Sequence, residues 1–343
     1  MNSFFKNTYE PSGKRIAILC LKQGSKKDGI FFYAHDLIDG LGKRNTVTVI
    51  SNQIFYNSLK EATKSSIKHF ELPFIKNRFF KWPFLVFFIP FYLIKEKKFD
   101  EIVFTTEDLP ILSLKFFRSI FLKKMKISVV VHDLAEYYIS RYGAMKDLFR
   151  RLFVKKYIQS CDEVITVSKK TKSDIISLGF KHQEFISLFY NQIDLPSEVN
   201  QKSVLDYAYV LYVSGFDYPS KNHIGLLNMI NKFDSKKFPY RVVCAGNADV
   251  QSKNFKLIES KVQEYGLAGK IVLMPNVEQH VMESLYSNCE FTIFPSLYEG
   301  FGRPIVESIL FGKKVYSSDV GIFRELGGHP LVFSLDELKK VMV

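Results

Sequence analysis

Residues 294–328 read FPSLYEGFGRPIVESILFGKKVYSSDVGIFRELGG and hold the densest group of functional signals in the chain. The apolar run ending at Phe294 is typical of a buried strand, and Pro304 is favoured in the first turn of a helix. Gly300 and Gly302 lie between them, where the lack of a side chain lets backbone N–H groups approach a ligand closely. This order of strand, glycine loop and helix predicts an α/β fold with an anion site at the helix N-terminus.

Two glutamates flank this glycine loop. Glu299 precedes the glycines, and Glu307 falls in the first turn of the predicted helix, with seven residues between them. A carboxylate beside a sugar stabilises the oxocarbenium-like charge of glycosyl transfer, and a second carboxylate can accept hydrogen bonds from ribose hydroxyls. A departing diphosphate needs positive charge, which a helix dipole with Lys or Arg supplies without a metal. The pattern favours glycosyl transfer from a nucleotide sugar.

Short β-branched runs alternate with helix-period segments along the whole chain. In Ile30–Leu41, for example, apolar residues recur on one helical face. This alternation predicts two parallel sheets covered by helices, with ligands beyond the carboxyl ends of the strands. The predicted strands are Arg15–Leu21, Thr46–Ser51, Glu101–Thr105, Ile127–Val131, Glu163–Val167, Phe185–Phe189, Tyr207–Val213, Tyr240–Ala245, Lys270–Pro275, Glu290–Phe294 and Lys314–Ser318.

The polar segment Asn191–Asp206 contains Pro196 and separates two predicted strands, which places a domain boundary there. We predict Rossmann-like domains at residues 1–195 and 196–343. The charge changes at the same place: residues 1–200 hold 32 Lys and Arg against 20 Asp and Glu, whereas residues 201–343 hold 16 against 15. A basic first domain predicts an anionic partner, for which membrane phospholipid, a pyrophosphate-linked lipid and nucleic acid all qualify.

The four cysteines lie in or beside apolar runs without CxxC spacing, which predicts reduced core residues of a cytosolic protein. They are Cys20, Cys161, Cys244 and Cys289. The N-terminus has no apolar stretch of the length that a secretion signal needs, so we expect none.

The most apolar segment, Phe79–Ile94, contains Lys81, Pro83 and Pro90 in 16 residues. A bilayer span needs about 20 clean apolar residues, so this segment does not qualify. Two interpretations stay open: an aromatic-rich core helix, or a patch that dips into an anionic membrane interface. The second is favoured by the flanking cations Lys76, Arg78, Lys95, Lys97 and Lys98.

Residues 294–328 resemble the signature of glycosyltransferase family 4, the retaining enzymes of GT-B fold. The resemblance covers roughly residues 14–334 and implies two Rossmann-like parallel-sheet domains that face each other across a cleft. Further segments similar to family motifs are Lys14–Ile50, VVHDL at Val130–Leu134, DEVITVSKKTKSDI at Asp162–Ile175, YNQID at Tyr190–Asp194 and YVSGFDYPSKNHIGLL at Tyr212–Leu227.

The resemblance also implies roles for individual residues. Glu299 would contact hydroxyls of the donor sugar, with backbone N–H groups near Gly300 and Phe301. His132 would approach that sugar from the first domain, and Asp133 beside it is expected to hold a loop or helix start. The other implied donor contacts are Lys221 at the diphosphate, Glu307 at the ribose, Gly29 in a glycine loop, Asn276 beside the base, and Gly215, Gly302 and Arg303.

The sequence departs from the family pattern at three places. Family members often have arginine directly after the glycine at 215, where this chain has Phe216; Arg303 is the expected substitute. The glycine pair of the first domain is reduced to Asp28–Gly29. Members usually continue with helices that pack back onto the first domain, whereas this sequence stops at Val343. Two interpretations stay open: the protein lacks these helices, or the sequence is a piece of a longer chain.

Together these features predict a retaining transferase that moves a sugar from a nucleoside diphosphate sugar to a saccharide acceptor. We expect a lipid-linked acceptor in cell-surface polysaccharide biosynthesis, a peripheral position on the inner face of the cell membrane, and no catalytic metal. Phe216 and the early stop motivate one alternative, a non-catalytic GT-B partner of an active transferase. Charge alone suggests a nucleic-acid binder, and without a recognition motif we expect no nucleic-acid partner.

Overall fold

The structure is a computed structural model that describes residues 5–21, 28–72, 78–96, 99–121, 124–140, 143–193, 202–233 and 236–342. Of the positions discussed above, Lys76, Lys97, Lys98, Asp194, Pro196 and Val343 lie outside these ranges. The chain divides into two compact units, residues 1–136 with 142–192 and residues 137–141 with 193–343. The predicted boundary at 195/196 stays a prediction.

The first unit contains a parallel sheet with strands β1 (Arg15–Cys20), β2 (Thr46–Ser51), β3 (Ile67–Glu71), β4 (Glu101–Phe104), β5 (Lys126–Val131), β6 (Glu163–Thr166) and β7 (Ile186–Leu188). Their spatial order is β3-β2-β1-β4-β5-β6-β7, and every neighbouring pair is parallel. The helices up to residue 192 are α1 (Gly29–Gly42), α2 (Gln53–Asn57), α3 (Glu61–Ser66), α4 (Arg78–Glu96), α5 (Pro110–Phe121), α6 (Ala135–Tyr138), α7 (Ala144–Ser160) and α8 (Lys169–Ser177), with a 3-10 turn at Gln183–Phe185.

The second unit contains strands β8 (Tyr209–Val213), β9 (Arg241–Gly246), β10 (Ile271–Pro275), β11 (Thr292–Phe294), β12 (Val315–Ser317) and β13 (Val332–Ser334). They form a parallel sheet in the order β10-β9-β8-β11-β12-β13. Its helices are α9 (His223–Asn231), α10 (Lys253–Glu264), α11 (Gln279–Asn288), α12 (Arg303–Leu310) and α13 (Leu335–Met342), with 3-10 turns at Pro219–Lys221 and Phe323–Leu326.

Sequence patterning accounts for the central strands and their helices. The inner strand β1 is buried from Ile16 to Cys20, as expected where helices cover both faces of a parallel sheet. Helix α1 begins where the side chain of Asp28 accepts a hydrogen bond from the Phe31 N–H, an N-cap that satisfies one of the free donors of the first turn. All four cysteines are buried free thiols, which confirms that they are core residues.

The eleven predicted strands are all present, with ends within two residues of the prediction. Two strands were not predicted, β3 and β13. Both lie at an edge of their sheet, and neither contains a fully buried residue. In β3 polar residues interrupt the apolar ones, and β13 has only three residues, so neither has the long apolar run that is typical of a buried strand.

The apolar segment Phe79–Ile94 lies within α4. Leu85, Ile89 and Leu93 are buried at a four-residue spacing, whereas Phe87 and Phe91 are exposed. The helix therefore has a core face, as the first interpretation predicts, and also an exposed apolar face. In the parts of the chain that the structure describes, no helix is both long enough and apolar enough to cross a membrane.

Strand order reverses beside β1 in the first sheet and beside β8 in the second. Connections that leave two adjacent strands in opposite directions create a crevice beyond their carboxyl ends, and ligands of doubly wound folds bind there. In the second unit, the chain after β8 leads to Lys221 and the chain after β11 leads to Glu299. The fold therefore brings these two candidate residues to the same crevice.

Candidate active site

The loop after β11 holds Glu299, Gly300, Phe301 and Gly302 and turns sharply into α12. Gly302 has φ +92°, a left-handed conformation that favours glycine. The backbone of Phe301 is fixed, because its carbonyl accepts a hydrogen bond of 2.9 Å from the Ile322 N–H. At Gly321, with φ +53°, an added Cβ would lie 2.2 Å from that carbonyl. Glycine at 321 thus lets the backbone at Ile322 approach and support the loop.

An ion pair between Lys221 and Glu299 spans the crevice of the second unit. The Lys221 Nζ lies 2.6 and 2.8 Å from the two carboxylate oxygens of Glu299. Only 12% of the Glu299 side chain is exposed. Because the pair is largely shielded from water, its attraction is less screened than that of a surface pair.

Two hydrogen bonds to the loop after β11 fix the 3-10 turn that carries Lys221. The Leu297 N–H donates to the Ser220 carbonyl at 2.8 Å, and the Asn222 side chain donates to the Pro295 carbonyl at 2.9 Å. Asn222 has φ +59°, a conformation that asparagine tolerates better than most residues. The turn after β8 and the loop after β11 are therefore bound to each other at the two residues that flank Lys221.

Glu307 lies in α12, and each of its carboxylate oxygens has a donor. Arg303 Nε donates to one at 2.9 Å, and the Tyr286 hydroxyl donates to the other at 2.8 Å. Burial, with the charge of Glu307, raises the pKa of Tyr286 well above its usual value. Tyr286, on α11, was not among the predicted site residues, because a single aromatic at a core-facing helical position carries no distinguishing pattern.

Phe216 occupies the position where the family often has arginine, and it is completely buried. Its ring stacks on His223 with centroids 4.8 Å apart, and the His223 Nε2 lies 3.1 Å from Ser214 Oγ. Burial, and secondarily the charge of Lys221, lowers the pKa of His223 to about 3. Position 216 is thus a core position that supports a neutral imidazole beneath the Lys221 turn.

Gly215 follows the carboxyl end of β8 and Asn276 follows that of β10, with β9 between the two strands. A Cβ added to Gly215 would meet its nearest atoms at 3.6 Å, an ordinary contact, so packing alone does not require glycine there. The Asn276 side chain accepts from the Ala248 N–H and donates to the Ala248 carbonyl, both at 2.9 Å. Its amide therefore holds the loop after β9.

In the first unit, His132 follows β5 and Gly29 begins α1. The His132 Nε2 lies 2.8 Å from the Thr105 carbonyl, and its ring makes a T-shaped contact with that of Tyr33, with centroids 4.9 Å apart. Asp133 accepts from the Ala135 N–H at 2.9 Å, which confirms its predicted place at a helix start. An added Cβ at Gly29 would have no neighbour within 4 Å. Among the described residues, no three His, Cys, Asp or Glu side chains cluster as metal ligands would.

The predicted residues thus form two pairs in the second unit, Lys221 with Glu299 and Arg303 with Glu307. Two sequence profiles match the chain: one described as Glycosyltransferase Family 4 over residues 27–196, and one described as Glycosyl transferases group 1 over residues 197–329. Together they cover most of the sequence and meet in the polar segment between the two sheets.

The chain is 28% identical over 200 residues to the O-antigen chain mannosyltransferase RfbU of Salmonella typhimurium, over 58% of this chain and 54% of that protein. It is also 28% identical over 176 residues to the uncharacterised glycosyltransferase MJ1178 of Methanocaldococcus jannaschii, over 51% of this chain and 45% of that protein. The chain spans about half the length of the curated relatives it matches.

Two solved structures show the same fold at low identity. Anabaena HepE in complex with UDP and glucose has a TM-score of 0.66 and 17% identity, over 95% of this chain and 89% of that one. Sucrose-phosphate synthase from Thermosynechococcus elongatus has a TM-score of 0.72 and 18% identity, over 96% and 88%. With two Rossmann-like units and both profiles in agreement, the protein belongs to glycosyltransferase family 4 and has the GT-B fold.

Proposed function

We propose that the protein is a retaining glycosyltransferase that uses a nucleoside diphosphate sugar and a lipid-linked saccharide acceptor in cell-surface polysaccharide biosynthesis. The observation that carries the proposal is the Lys221–Glu299 ion pair in the crevice beside the N-terminus of α12. The relatives support the class of reaction, since RfbU is named an O-antigen chain mannosyltransferase and HepE was solved with UDP and glucose.

The site suggests how the donor would be held. Without a donor, the ammonium of Lys221 is neutralised by Glu299. A diphosphate in the crevice would share that ammonium, and the positive N-terminus of α12 would add to its stabilisation as the bond to the sugar breaks. Glu299 would then lie beside the sugar, where a carboxylate stabilises developing positive charge.

Glu307 is the proposed ribose contact. Its carboxylate is fixed by Arg303 and Tyr286, and an oriented carboxylate can accept hydrogen bonds from a ribose diol. Roles for Gly215, Gly300, Phe301, Gly302 and Asn276 at the donor stay predictions from the family resemblance, as do those of His132 and Gly29. The assembled charges argue against the non-catalytic alternative, because a partner subunit has no need of them.

We also propose that no metal takes part, because the helix N-terminus and Lys221 can neutralise the diphosphate. Turnover should continue in the presence of a chelator, and restoration of a lost activity by Mg²⁺ or Mn²⁺ would contradict this part. The anomeric configuration of the product, read by NMR, tests retention: a product with the donor's configuration supports it, and an inverted product rejects it.

Thermal unfolding against a panel of nucleoside diphosphates and their sugars tests the donor site. A ligand that binds only the folded state stabilises it by about 2.7 kcal/mol at one hundred times its Kd. We expect one base to raise the Tm selectively, and both Lys221→Ala and Glu307→Ala to lose that shift. Lys261→Ala, which removes a lysine paired with Glu264 on α10, should keep it. An unchanged Tm with every nucleotide would overturn the proposal.

A further inference from the structure

Helix α7 carries a row of apolar side chains that points away from the core. Met145 is 73% exposed and Phe149 57% exposed, whereas Val154 and Ile158 on the opposite side are buried. The row recurs at steps of three and four residues, so its members share one face of the helix. This α7 stripe consists of Met145, Leu148, Phe149, Leu152 and Phe153, all exposed.

The helices packed beside α7 also expose aromatic side chains. Helix α5 packs against both α4 and α7. It exposes Phe116, and α4 exposes Phe87 and Phe91. Single exposed apolar side chains are normal on a protein surface, whereas five on one face of one helix mark an interaction surface.

The charges of α7 indicate which partner fits. The helix contains five Lys and Arg and one acid, Asp147, which is buried. Its exposed cations are Lys146, Arg150, Lys155 and Lys156. Arg151 donates to the Glu136 carbonyl at 2.6 Å and so ties the helix to the protein, leaving the apolar row outermost.

An apolar face flanked by cations is suited to the boundary between lipid headgroups and acyl chains of an anionic bilayer. A second copy of the chain fits less well, because a two-fold contact through the same stripe would bring the cations of both helices together. A soluble anionic ligand would leave the apolar side chains in water.

We propose that the α7 stripe docks the protein onto an anionic phospholipid surface, with the helix lying in the plane of the interface. The stripe would enter the headgroup region, and Lys146 and Lys156 would meet lipid phosphates. This proposal specifies which surface would contact the membrane at which we place the protein. It rests on the proposed function only in one respect, that the membrane would supply the lipid-linked acceptor.

Co-sedimentation with vesicles tests the docking. We expect the protein to bind phosphatidylcholine vesicles containing about 30% phosphatidylglycerol at least about tenfold more strongly than pure phosphatidylcholine. Phe149→Ser with Leu152→Ser should lower binding about tenfold, because it removes two exposed apolar groups that would enter the bilayer. Lys146→Gln with Lys156→Gln should lower binding to the anionic vesicles alone. The matched control is Ile54→Ser with Leu257→Ser, which changes apolar residues that are equally exposed on α2 and α10 and should bind as wild type.

Equal vesicle binding by wild type and the Phe149/Leu152 variant would overturn the docking. A wild-type dimer in sedimentation velocity that the same variant dissociates would overturn it in favour of a second copy. The nucleotide-induced Tm shift separates this proposal from the preceding one. A normal shift without vesicle binding rejects only the docking, and vesicle binding without any shift rejects only the donor site.

Discussion

In the proposed reaction, Lys221 turns from Glu299 to the diphosphate, and Glu299 turns to the donor sugar. Substitutions of the two residues should therefore have different effects. Glu299 holds the ammonium through both carboxylate oxygens while no diphosphate is present. Removing the carboxylate charge should therefore free Lys221 for the diphosphate but leave the developing charge of the sugar without its counterion. Binding and turnover should change in opposite directions.

For Glu299→Gln we expect turnover to fall by about 100-fold, the usual effect of removing one electrostatic group from a transition state. The affinity for the nucleoside diphosphate product should be unchanged or higher. Kinetics with the donor sugar and calorimetry with the diphosphate measure the two effects. Glu264→Gln, which breaks the exposed Lys261–Glu264 pair, serves as control. Parallel loss of affinity and turnover would show that Glu299 acts only by fixing the turn.

Tyr286 is expected to act through Glu307. In Tyr286→Phe one carboxylate oxygen of Glu307 loses its donor. A single hydrogen bond contributes about 1 kcal/mol, so nucleotide affinity should fall by about fivefold while kcat at saturating donor stays close to wild type. Tyr265→Phe in the same unit should leave both quantities unchanged. A fall in kcat with unaltered affinity would place Tyr286 in the chemistry instead of in ribose binding.

At the level of secondary-structure elements, the site depends on contacts between loops that glycine permits. Gly321 is needed twice, for its positive φ and for the approach of the Phe301 carbonyl. Gly328 also has a positive φ, of +86°, but an added Cβ there would have no neighbour within 4 Å. Substitution of Gly328 should therefore introduce backbone strain alone, whereas substitution of Gly321 should add a steric clash.

Gly328→Ala should cost about 1 kcal/mol of unfolding free energy, the usual penalty of a left-handed L-residue. Gly321→Ala should cost at least about 1 kcal/mol more, because a Cβ would displace the loop that carries Glu299. It should also weaken the nucleotide-induced Tm shift, which Gly328→Ala should preserve. Chemical denaturation and the thermal assay give the two readouts. Equal effects of the two substitutions would argue against a support role for position 321.

Which elements the sequence predicts follows from how much of each is buried. Central strands such as β1 have continuous apolar runs, and all were predicted, as were the edge strands β7 and β10, which each contain at least one buried residue. The edge strands β3 and β13 contain no buried residue and were not predicted. The α7 stripe could not be predicted for a related reason. Its spacing matches that of a core-facing helix, and only the packed structure shows that the apolar side faces outward.

Pairings within the site are also beyond local patterns. Lys221 and Glu299 are 78 residues apart, and their meeting depends on a strand order that crosses over at β8. The family resemblance predicted that both residues belong to the donor site, but it did not predict that they contact each other. Tyr286 had no resemblance to support it and was found only through its hydrogen bond to Glu307.

For the molecule as a whole, basic charge and exposed apolar surface coincide. The excess of Lys and Arg lies almost entirely in residues 1–200, which also contain α4, α5 and α7. The nearly neutral remainder contains the proposed donor site. This distribution fits a protein that presents one part of its sequence to an anionic surface and binds a soluble anionic donor through a few placed charges in the other.

The stability of the whole protein should report on His223, since its pKa is about 3 in the folded state and about 6.5 in an unfolded chain. Between these values the unfolded state binds a proton that the folded state does not. His223 therefore does not lower the free energy of unfolding above pH 6.5, and it lowers it progressively as the pH falls. Lowering the pH from 7 to 5 should remove about 2 kcal/mol through this residue.

Denaturant unfolding of wild type and His223→Gln at pH 7 and pH 5 isolates that contribution. The variant should be less stable at pH 7, because it loses the stacking on Phe216, yet it should lose less stability on acidification. His280→Gln, which removes an exposed imidazole from the same unit, should follow wild type. If wild type and His223→Gln instead lost the same free energy, His223 would have to be protonated in the folded protein. A second cation would then lie beneath the Lys221 turn, and the charge balance proposed for the donor site would be wrong.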